Sequence, residues 1–426
     1  MISNCFRRCS PSYARLATRY CTVFWTNRPI QQCRQLGVLT AAFVFFTLTS
    51  IATYSHAQST NKKFALSDFP APIENFQAHR EQVREYILAT QMPHREASDA
   101  EYNLPFDIEA NQEVPYRGKY LLIHGLNDSP FLWKDVAREL ATRGFDVRAI
   151  LLPGHGNTPR AQLNISYRSW LKASREHMAL YREPGKNFYL GGFSLGGVIA
   201  TLLAAEKTNE IDGLLLFSPA YKSIIHNSLR WAGIYSRWEP WAFGGMIIED
   251  NPVKYNSIPI NTGSQYYKTT QALKRRWPRK RLNIPVLVVA SNNDSVINIQ
   301  HMEDSYKRGF IANKYMIVYD NERAGQTDAG EGIEYRNSSY PPGRVLNQSH
   351  QSLLIAPQNP IYGKNGRILV CNGNEYPIFR ACLNYQGDHW YGAQHTPSPD
   401  GVPVARTTYN PDFDYVMQQF DRLFMP

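Results

Sequence analysis

Apolar residues in this chain follow two alternating rhythms. One is the short unbroken run: "KYLLIHG" at 119–125, "FDVRAILLPGHG" at 145–156, "KNFYLGG" at 186–192, "IDGLLLFSPA" at 211–220, "IPVLVVAS" at 284–291 and "YMIVYD" at 315–320. Runs of this length, ending at Gly, Pro or Asp, predict strands buried on both faces. The other rhythm has apolar positions three and four apart. It predicts helices over 74–91, 128–144, 166–183, 195–207, part of the stretch between 291 and 315, and 413–424. In 128–144, Asp128 or Ser129 is placed to cap, Pro130 suits the first turn and Gly144 ends the helix. Apolar strands alternating with amphipathic helices predict an α/β fold, with a mostly parallel sheet and helices on both faces.

Two segments break the alternation. Residues 221–283 hold Trp231, Trp238, Trp241 and Trp277 and the basic run "KRRWPRKR" at 274–281. They are expected to form a cap inserted into a core made of 58–220 and 284–426. Residues 321–400, rich in Pro, Gly and Asn, are expected to be a second insertion within that core. Ahead of the core, residues 1–57 contain six Arg and no Asp, Glu or Lys, and the apolar run "LGVLTAAFVFFTLTSIA" at 36–52. Ser55-His56-Ala57 then matches a small-x-small cleavage signal before Gln58. Two readings stay open: an export signal released after Ala57, or a membrane anchor at 36–52. Both place the remainder on the periplasmic or extracellular face.

Composition narrows the picture. With 426 residues, 43% hydrophobic and 19% charged, the chain supports a large core and is not of disordered type. The net charge of +10 falls to +4 once the arginines of 1–57 are set aside. That weak excess argues against nucleic acid as a partner. Four of six cysteines lie in the leader. Cys371 and Cys382 remain, eleven positions apart, either as one disulfide of an exported domain or as two buried thiols. No C-x-x-C metal spacing occurs, and no cofactor is expected.

The chemistry centres on Gly192-Phe193-Ser194-Leu195-Gly196, a G-x-S-x-G between a strand and a helix. Such a turn forces its central residue into a strained backbone and holds the hydroxyl clear of the sheet, at the positive end of a helix. A serine hydroxyl becomes a useful nucleophile when a histidine takes its proton and an acid orients that histidine. Asp294, just past the strand 284–291, is the expected acid, since the strand ending "LLLFSPA" has no carboxylate at its tip. Of the histidines after the last strand, His350 in "NQSHQSLL" is favoured over His389 and His395 as the base. The oxyanion that forms needs two N–H donors. The backbones of Leu195, after the nucleophile, and Leu126, in the turn His124-Gly125-Leu126, are expected to supply them. His124 is read as a brace for that turn.

Together these residues resemble the α/β-hydrolase superfamily, and within it the monoacylglycerol lipase, lysophospholipase and serine aminopeptidase-like group. The resemblance rests on "HGL" at 124–126, "PGHG" at 153–156, "GFSLGG" at 192–197, Asp294 in "SNNDSVI" and His350 in "SHQSLL", and covers roughly 117–355 plus the closing helix. It implies Ser194 as nucleophile, Asp294 as orienting acid, His350 as base, and carboxylic esters of lipids or small acyl groups as substrates. The chain departs from the group in the stretch 321–349 between the last strand and the histidine.

The cap admits an apolar acyl pocket roofed by Trp and Phe, with the basic run near anionic lipid heads, or an ordinary cap core with a solvated charged face. Amide cleavage by the same residues is the rival activity. Glu239, Glu249 and Asp250 are the cap carboxylates available to bind a substrate amine. A non-catalytic envelope protein that retains the fold is the second rival.

Overall fold

Strands β1 (Phe106–Ile108), β2 (Gly118–Ile123), β3 (Phe145–Ile150), β4 (Phe188–Phe193), β5 (Gly213–Phe217), β6 (Val286–Ser291), β7 (Lys314–Tyr319), β8 (Thr327–Asp328) and β9 (Ile333–Arg336) form one sheet in the order β1-β3-β2-β4-β5-β6-β7-β9-β8. The structure is a computed structural model, which describes residues 69–425 apart from 312 and 372–375. The leader, with its apolar run and cleavage signal, lies outside the described residues. The chain divides into two units, Met1–Lys62 and Lys63–Pro426. All that follows concerns the second.

The six strands expected from the apolar runs are β2 to β7. They pair in parallel throughout the centre of the sheet. Edge strand β1 runs antiparallel to β3. Beyond β7 the sheet continues with β9, parallel, and β8, antiparallel to β9. The stretch 321–336, expected to be part of an insertion, thus extends the sheet. Its strands are short, and the edge is the two-residue β8 ("TD"), as brief and polar as an exposed edge requires.

Alternate residues of the central strands serve two cores, which is why their apolar runs are unbroken. Leu121, Ile123, Leu190, Leu214, Val288 and Met316 pack on one face against helices α3 (Tyr167–Tyr181), α4 (Leu195–Glu206), α5 (Ile260–Arg276) and α6 (Ile299–Gly309). Tyr120, Leu122, Leu215, Val289 and Ile317 face α2 (Lys134–Thr142) and α8 (Phe413–Phe424) on the other. An N-terminal helix, α1 (Phe76–Thr90), buries Phe76, His79, Val83 and Ile87. Residues 128–144 differ from the expected single capped helix. Pro130–Trp133 is a tight 3₁₀ turn before α2, and Ser129 makes no side-chain cap.

The segment 221–283 divides into three parts. Two single helical turns, His226–Leu229 and Ala232–Tyr235, lead into irregular chain over 236–259. Helix α5 then packs along α4, with Tyr266 Oη donating to Ala220 O at 2.7 Å. Trp277 is a core residue: it is buried against Tyr221 and Phe310, and its Nε1–H donates to Gly309 O.

After β9 the chain makes a long excursion before α8. It contains helix α7 (Tyr376–Asn384) and a parallel pair, β10 (Trp390–Gly392) with β11 (Val404–Arg406). Of the two cysteine readings, the disulfide is the one found: Cys371 and Cys382 are bonded and buried beside Ala405. The excursion is clamped to the core. Asp135 Oδ2, on α2, accepts from Ala356 N (3.0 Å) and from Asn359 Nδ2 (2.7 Å). Tyr362 Oη donates to Asn251 Oδ1 at 2.8 Å, tying the excursion to the 236–259 segment.

Four buried histidines couple this fold to pH. His79 sits against His177 and His124 against His155, with ring centroids 5.1 Å and 4.8 Å apart. Burial depresses all four, His79 and His155 to about 4. Below the ordinary value of 6.5 an unfolded chain takes up protons that the folded chain refuses, so stability is intact above pH 6.5 and is lost as pH falls. Each fully refused proton costs about 1.4 kcal/mol per pH unit. Urea unfolding at pH 7 and pH 5 is expected to show a loss of several kcal/mol at the lower pH. Equal stability at both would contradict this account.

Candidate active site

Ser194 stands where β4 becomes α4, with φ 53° and ψ −114°, a backbone that side chains other than glycine rarely adopt. The bend is tight enough to exclude side chains on either side. A Cβ on Gly192 would come within 2.5 Å of Gly196 O, and one on Gly196 would overlap Ile123 O. The turn is pinned by its own backbone: Ser194 N donates to Phe217 O at 3.0 Å, and Ser194 O accepts from Gly197 N and Ala220 N, each at 3.1 Å. Neighbouring β5 thus holds the bend from the side.

Asp294 lies in the turn after β6. Its Oδ1 accepts from Val296 N (2.8 Å) and Ile297 N (3.1 Å), which leaves Oδ2 directed elsewhere. His350 arrives from the long excursion, and its loop is held by side chains. Ser291 Oγ, at the tip of β6, donates to Gln348 O at 2.8 Å. Ser349 Oγ donates to Thr407 O at 2.6 Å, and Thr407 Oγ1 donates to Asn347 O at 2.7 Å. The loop brings His350 Nδ1 to 2.5 Å from Asp294 Oδ2 and Nε2 to 2.9 Å from Ser194 Oγ. With the carboxylate accepting from Nδ1–H, Nε2 is left to accept the serine proton. The Phe193 ring packs beside the imidazole, 5.0 Å between centroids. His389 is elsewhere, its Nε2 2.8 Å from Cys382 O.

The turn at 124–126 follows β2, next to β4 in the sheet. Leu152 N donates to His124 Nε2 at 3.0 Å, so the ring proton is on Nδ1, which donates to Gly125 O at 2.7 Å. His124 is fully buried, and burial next to His155 holds it neutral. Its function in this geometry is to brace. Leu195 is the first residue of α4, so its N–H has no acceptor within the helix. Among the described residues neither Leu126 N–H nor Leu195 N–H donates a hydrogen bond. Among the same residues no group of three or more His, Cys, Asp or Glu is arranged to hold a metal ion.

A polar cluster beside His350 escaped the sequence reading. Asp128, expected as a helix cap, is buried with Oδ1 unpartnered, and Oδ2 lies under Gly125. Burial pushes its carboxyl up, while Lys254 and His350 pull it down. Lys254 comes from the 236–259 segment and donates to Gln351 Oε1 at 2.7 Å, next in the chain to His350. Tyr255 N donates to Asn127 O at 2.8 Å. The signal for Asp128 was its place two residues past Leu126, but local helix-start chemistry explained it equally well.

The aromatic residues of 221–283 divide between surface and core. Trp231, Trp238 and Phe243 are 54%, 76% and 64% exposed, and Trp277 belongs to the core. Trp231 lies between two helical turns of four residues each, too short to present a buried stripe. The basic run also lies away from the serine: Arg276 pairs with Glu206, at the far end of α4.

Comparison with known proteins agrees with this architecture. Residues 115–248 match the Hydrolase_4 family model, described as serine aminopeptidase, S33. The match spans less than a third of the chain, and it accords with the α/β-hydrolase fold of the sheet and its covering helices. The chain is 26% identical over 106 residues to human monoacylglycerol lipase ABHD6, a match covering 25% of the chain and 31% of that protein. It is also 26% identical over 100 residues to the thermostable monoacylglycerol lipase of Bacillus sp. (strain H-257), covering 24% of the chain and 40% of that protein. The chain therefore spans less than half the length of these curated relatives. Among solved structures, Paleococcus ferrophilus monoacylglycerol lipase is similar with a TM-score of 0.41 and 21% identity, over 50% of this chain and 87% of that one.

The Lys254 bridge makes a prediction about stability. Lys254→Met removes the donor from the buried Gln351 carbonyl and the nearest cation from Asp128. The expected cost is about 1–3 kcal/mol in urea unfolding, with Lys254→Arg retaining most of the wild-type stability. No loss in the Met variant would show the bridge to be incidental.

Proposed function

We propose that this chain is a serine hydrolase of the α/β-hydrolase superfamily that cleaves carboxylic esters, with monoacylglycerol- or lysophospholipid-like molecules or other acyl esters as substrates. The observation that carries the reading is the hydrogen-bond chain Ser194 Oγ, His350 Nε2, His350 Nδ1, Asp294 Oδ2. Ser194 Oγ attacks the ester carbonyl while its proton passes to His350 Nε2. Asp294 keeps the ring oriented and offsets the imidazolium charge. The tetrahedral oxyanion is received by the N–H groups of Leu126 and Leu195 at the positive end of α4. Collapse releases the alcohol, which takes the proton from His350, and leaves Ser194 acylated. Water, deprotonated by His350, attacks the acyl carbon and frees the acid and the serine. No step calls for a metal or organic cofactor.

Ester rather than aminopeptidase chemistry is favoured by the state of the cap carboxylates. Glu249 is buried, with Oε1 accepting from Ser257 N and Oε2 from Asn256 N. Glu239 Oε1 accepts from Trp241 N, and Asp250 Oδ1 from Asn256 Nδ2. Each is engaged in folding its own segment. The lipid-like substrate draws on the two monoacylglycerol lipase relatives. Export, by a signal cleaved after Ala57 or an anchor at 36–52, is part of the same proposal. It is supported by the Cys371–Cys382 disulfide, which suits an oxidising compartment.

Fluorophosphonate labelling is expected for wild type and absent from Ser194→Ala. Asp294→Asn is expected to lower kcat for a p-nitrophenyl ester by about 10⁴ with little change in fold. Labelling that survives Ser194→Ala would overturn the assignment of the nucleophile. Faster turnover of an aminoacyl anilide than of the ester would replace esterase by aminopeptidase. A wild type inert to both substrates and to the label would make the protein a non-catalytic member of the superfamily.

A further inference from the structure

The excursion that delivers His350 also contains the Cys371–Cys382 disulfide, and the contacts around that bond converge on the histidine's loop. Val370 O, next to Cys371, accepts from Arg406 N at 2.7 Å and so holds β11. Cys382 O accepts from His389 Nε2 at 2.8 Å, and His389 O accepts from Arg344 Nε at 3.0 Å. The Arg344 guanidinium lies 4.4 Å above the ring of Trp390, the first residue of β10. The two ends of the bridge thus reach the two strands of the β10–β11 pair. These strands are three residues each, too short to stand without support. The buried cluster beside them has three members, Cys371, Cys382 and Ala405, and two of the three are the bonded cysteines.

Strands β10 and β11 in turn cradle the loop of His350. Tyr391 pairs with Ala405 on one side. On the other, Tyr391 N donates to Arg344 O at 2.9 Å and Tyr391 O accepts from Leu346 N at 2.7 Å, so 344–346 runs as a third strip beside β10. That strip leads directly to His350. Its next residue is held from both strands. Asn347 Oδ1 accepts from Ala393 N, just past β10, at 2.6 Å, and Asn347 O accepts from Thr407 Oγ1, just past β11. Thr407 N closes the set by donating to Gly392 O at 3.0 Å. The same strand also lies near the acid. Burial lowers the Arg406 guanidinium to about 10, and the Asp294 carboxylate raises it. Arg406 and Thr407 thus place one short strand beside both partners of Ser194.

We propose that closure of the Cys371–Cys382 bond controls the position of His350, by fixing β10 and β11 and through them Asn347, and so switches the site on. The step is a dithiol–disulfide exchange. The two thiols give up two protons and two electrons, and a disulfide oxidant takes them up to become two thiols. In the finished protein Cys371 is 2% exposed and Cys382 fully buried, so the closed bond is shielded from reductant. The switch therefore acts once, as the protein matures in an oxidising compartment. With two thiols in place of the bond, the bend at Ser194 keeps its own hydrogen bonds to Phe217 and Ala220, while the imidazole loses its support. The inference rests on the assignment of Ser194, His350 and Asp294 made above.

The test compares the full chain, as wild type and as the double variant Cys371→Ala, Cys382→Ala, by hydrogen exchange and by turnover of a p-nitrophenyl ester. Cys5, Cys9, Cys21 and Cys33 are common to both, so differences report the late pair. Amides of 344–351 and 404–408 are expected to exchange at least about tenfold faster in the variant, while those of 188–206 keep their wild-type protection. A displaced base lowers kcat, by about 10²-fold, with little change in KM. Wild type purified under dithiothreitol is expected to match the variant and to regain both kcat and protection on exposure to oxidised glutathione, to which the variant does not respond. Full turnover by the variant would overturn the proposal, as would equal exchange of 344–351 in variant and wild type. Loss of protection over 188–206 as well would make the bond a staple of the whole fold and would also overturn it. A wild type that turns over no ester, but whose 344–351 amides still depend on the bond, would sink the reading of Ser194 and still support control of His350 by the disulfide.

Discussion

The strained backbone at Ser194 is the constraint to which the rest of the site is fitted. An L-residue at φ 53°, ψ −114° sits there only because its surroundings leave no alternative. The strand before it is buried in full, and so is the helix after it as far as Ala205. The hydrogen bonds from Ser194 N and to Ser194 O tie the bend to β5, and the glycines at 192 and 196 allow the two elements to approach. Strain at one residue costs of the order of 1–3 kcal/mol, and it persists here because the packed strand and helix around it oppose its release. The gain is positional: the hydroxyl and the first N–H of α4 face the same space.

The other half of the site is built differently. Asp294 is set by two backbone N–H groups in a short turn close to the sheet. His350 hangs on a long excursion and owes its position to a relay of hydroxyls, Ser291, Ser338, Ser349 and Thr407, that bond the backbone of its loop. One partner is a rigid sheet terminus and the other a loop braced from several directions. The clamps at Asp135 and Tyr362 give the excursion the fixed frame that a few residues of connecting chain give a shorter loop.

How much of this was legible in the sequence depends on how local each cause is. Strands β2 to β7 were legible because double-sided burial demands unbroken apolar runs. The edge strands β1 and β8 and the short β9 beside β8 were not, because two to four residues are too few to set a period apart from chance. Ser194 was legible because its conformation dictates the residues on either side. Asp294 and His350 followed from position after a strand and from chain order, a topological cue that survives the long stretch 321–349. Asp128 was misassigned because a Asp-Ser-Pro start to a helix has a sufficient local explanation. Only tertiary burial distinguishes the carboxylate under Gly125 from a cap. For the tryptophans of 221–283 composition left two readings open. It reports that a segment is aromatic, but tertiary packing decides which rings are buried: Trp277 enters the core, whereas Trp231 and Trp238 stay at the surface.

The seat of His350 is completed by Thr407, far along the chain from the histidine itself. The hydrogen bonds that pin the bend at Ser194 come from residues no later than Ala220. A chain cut between His350 and Thr407 would thus keep the bend and leave the imidazole without its anchor.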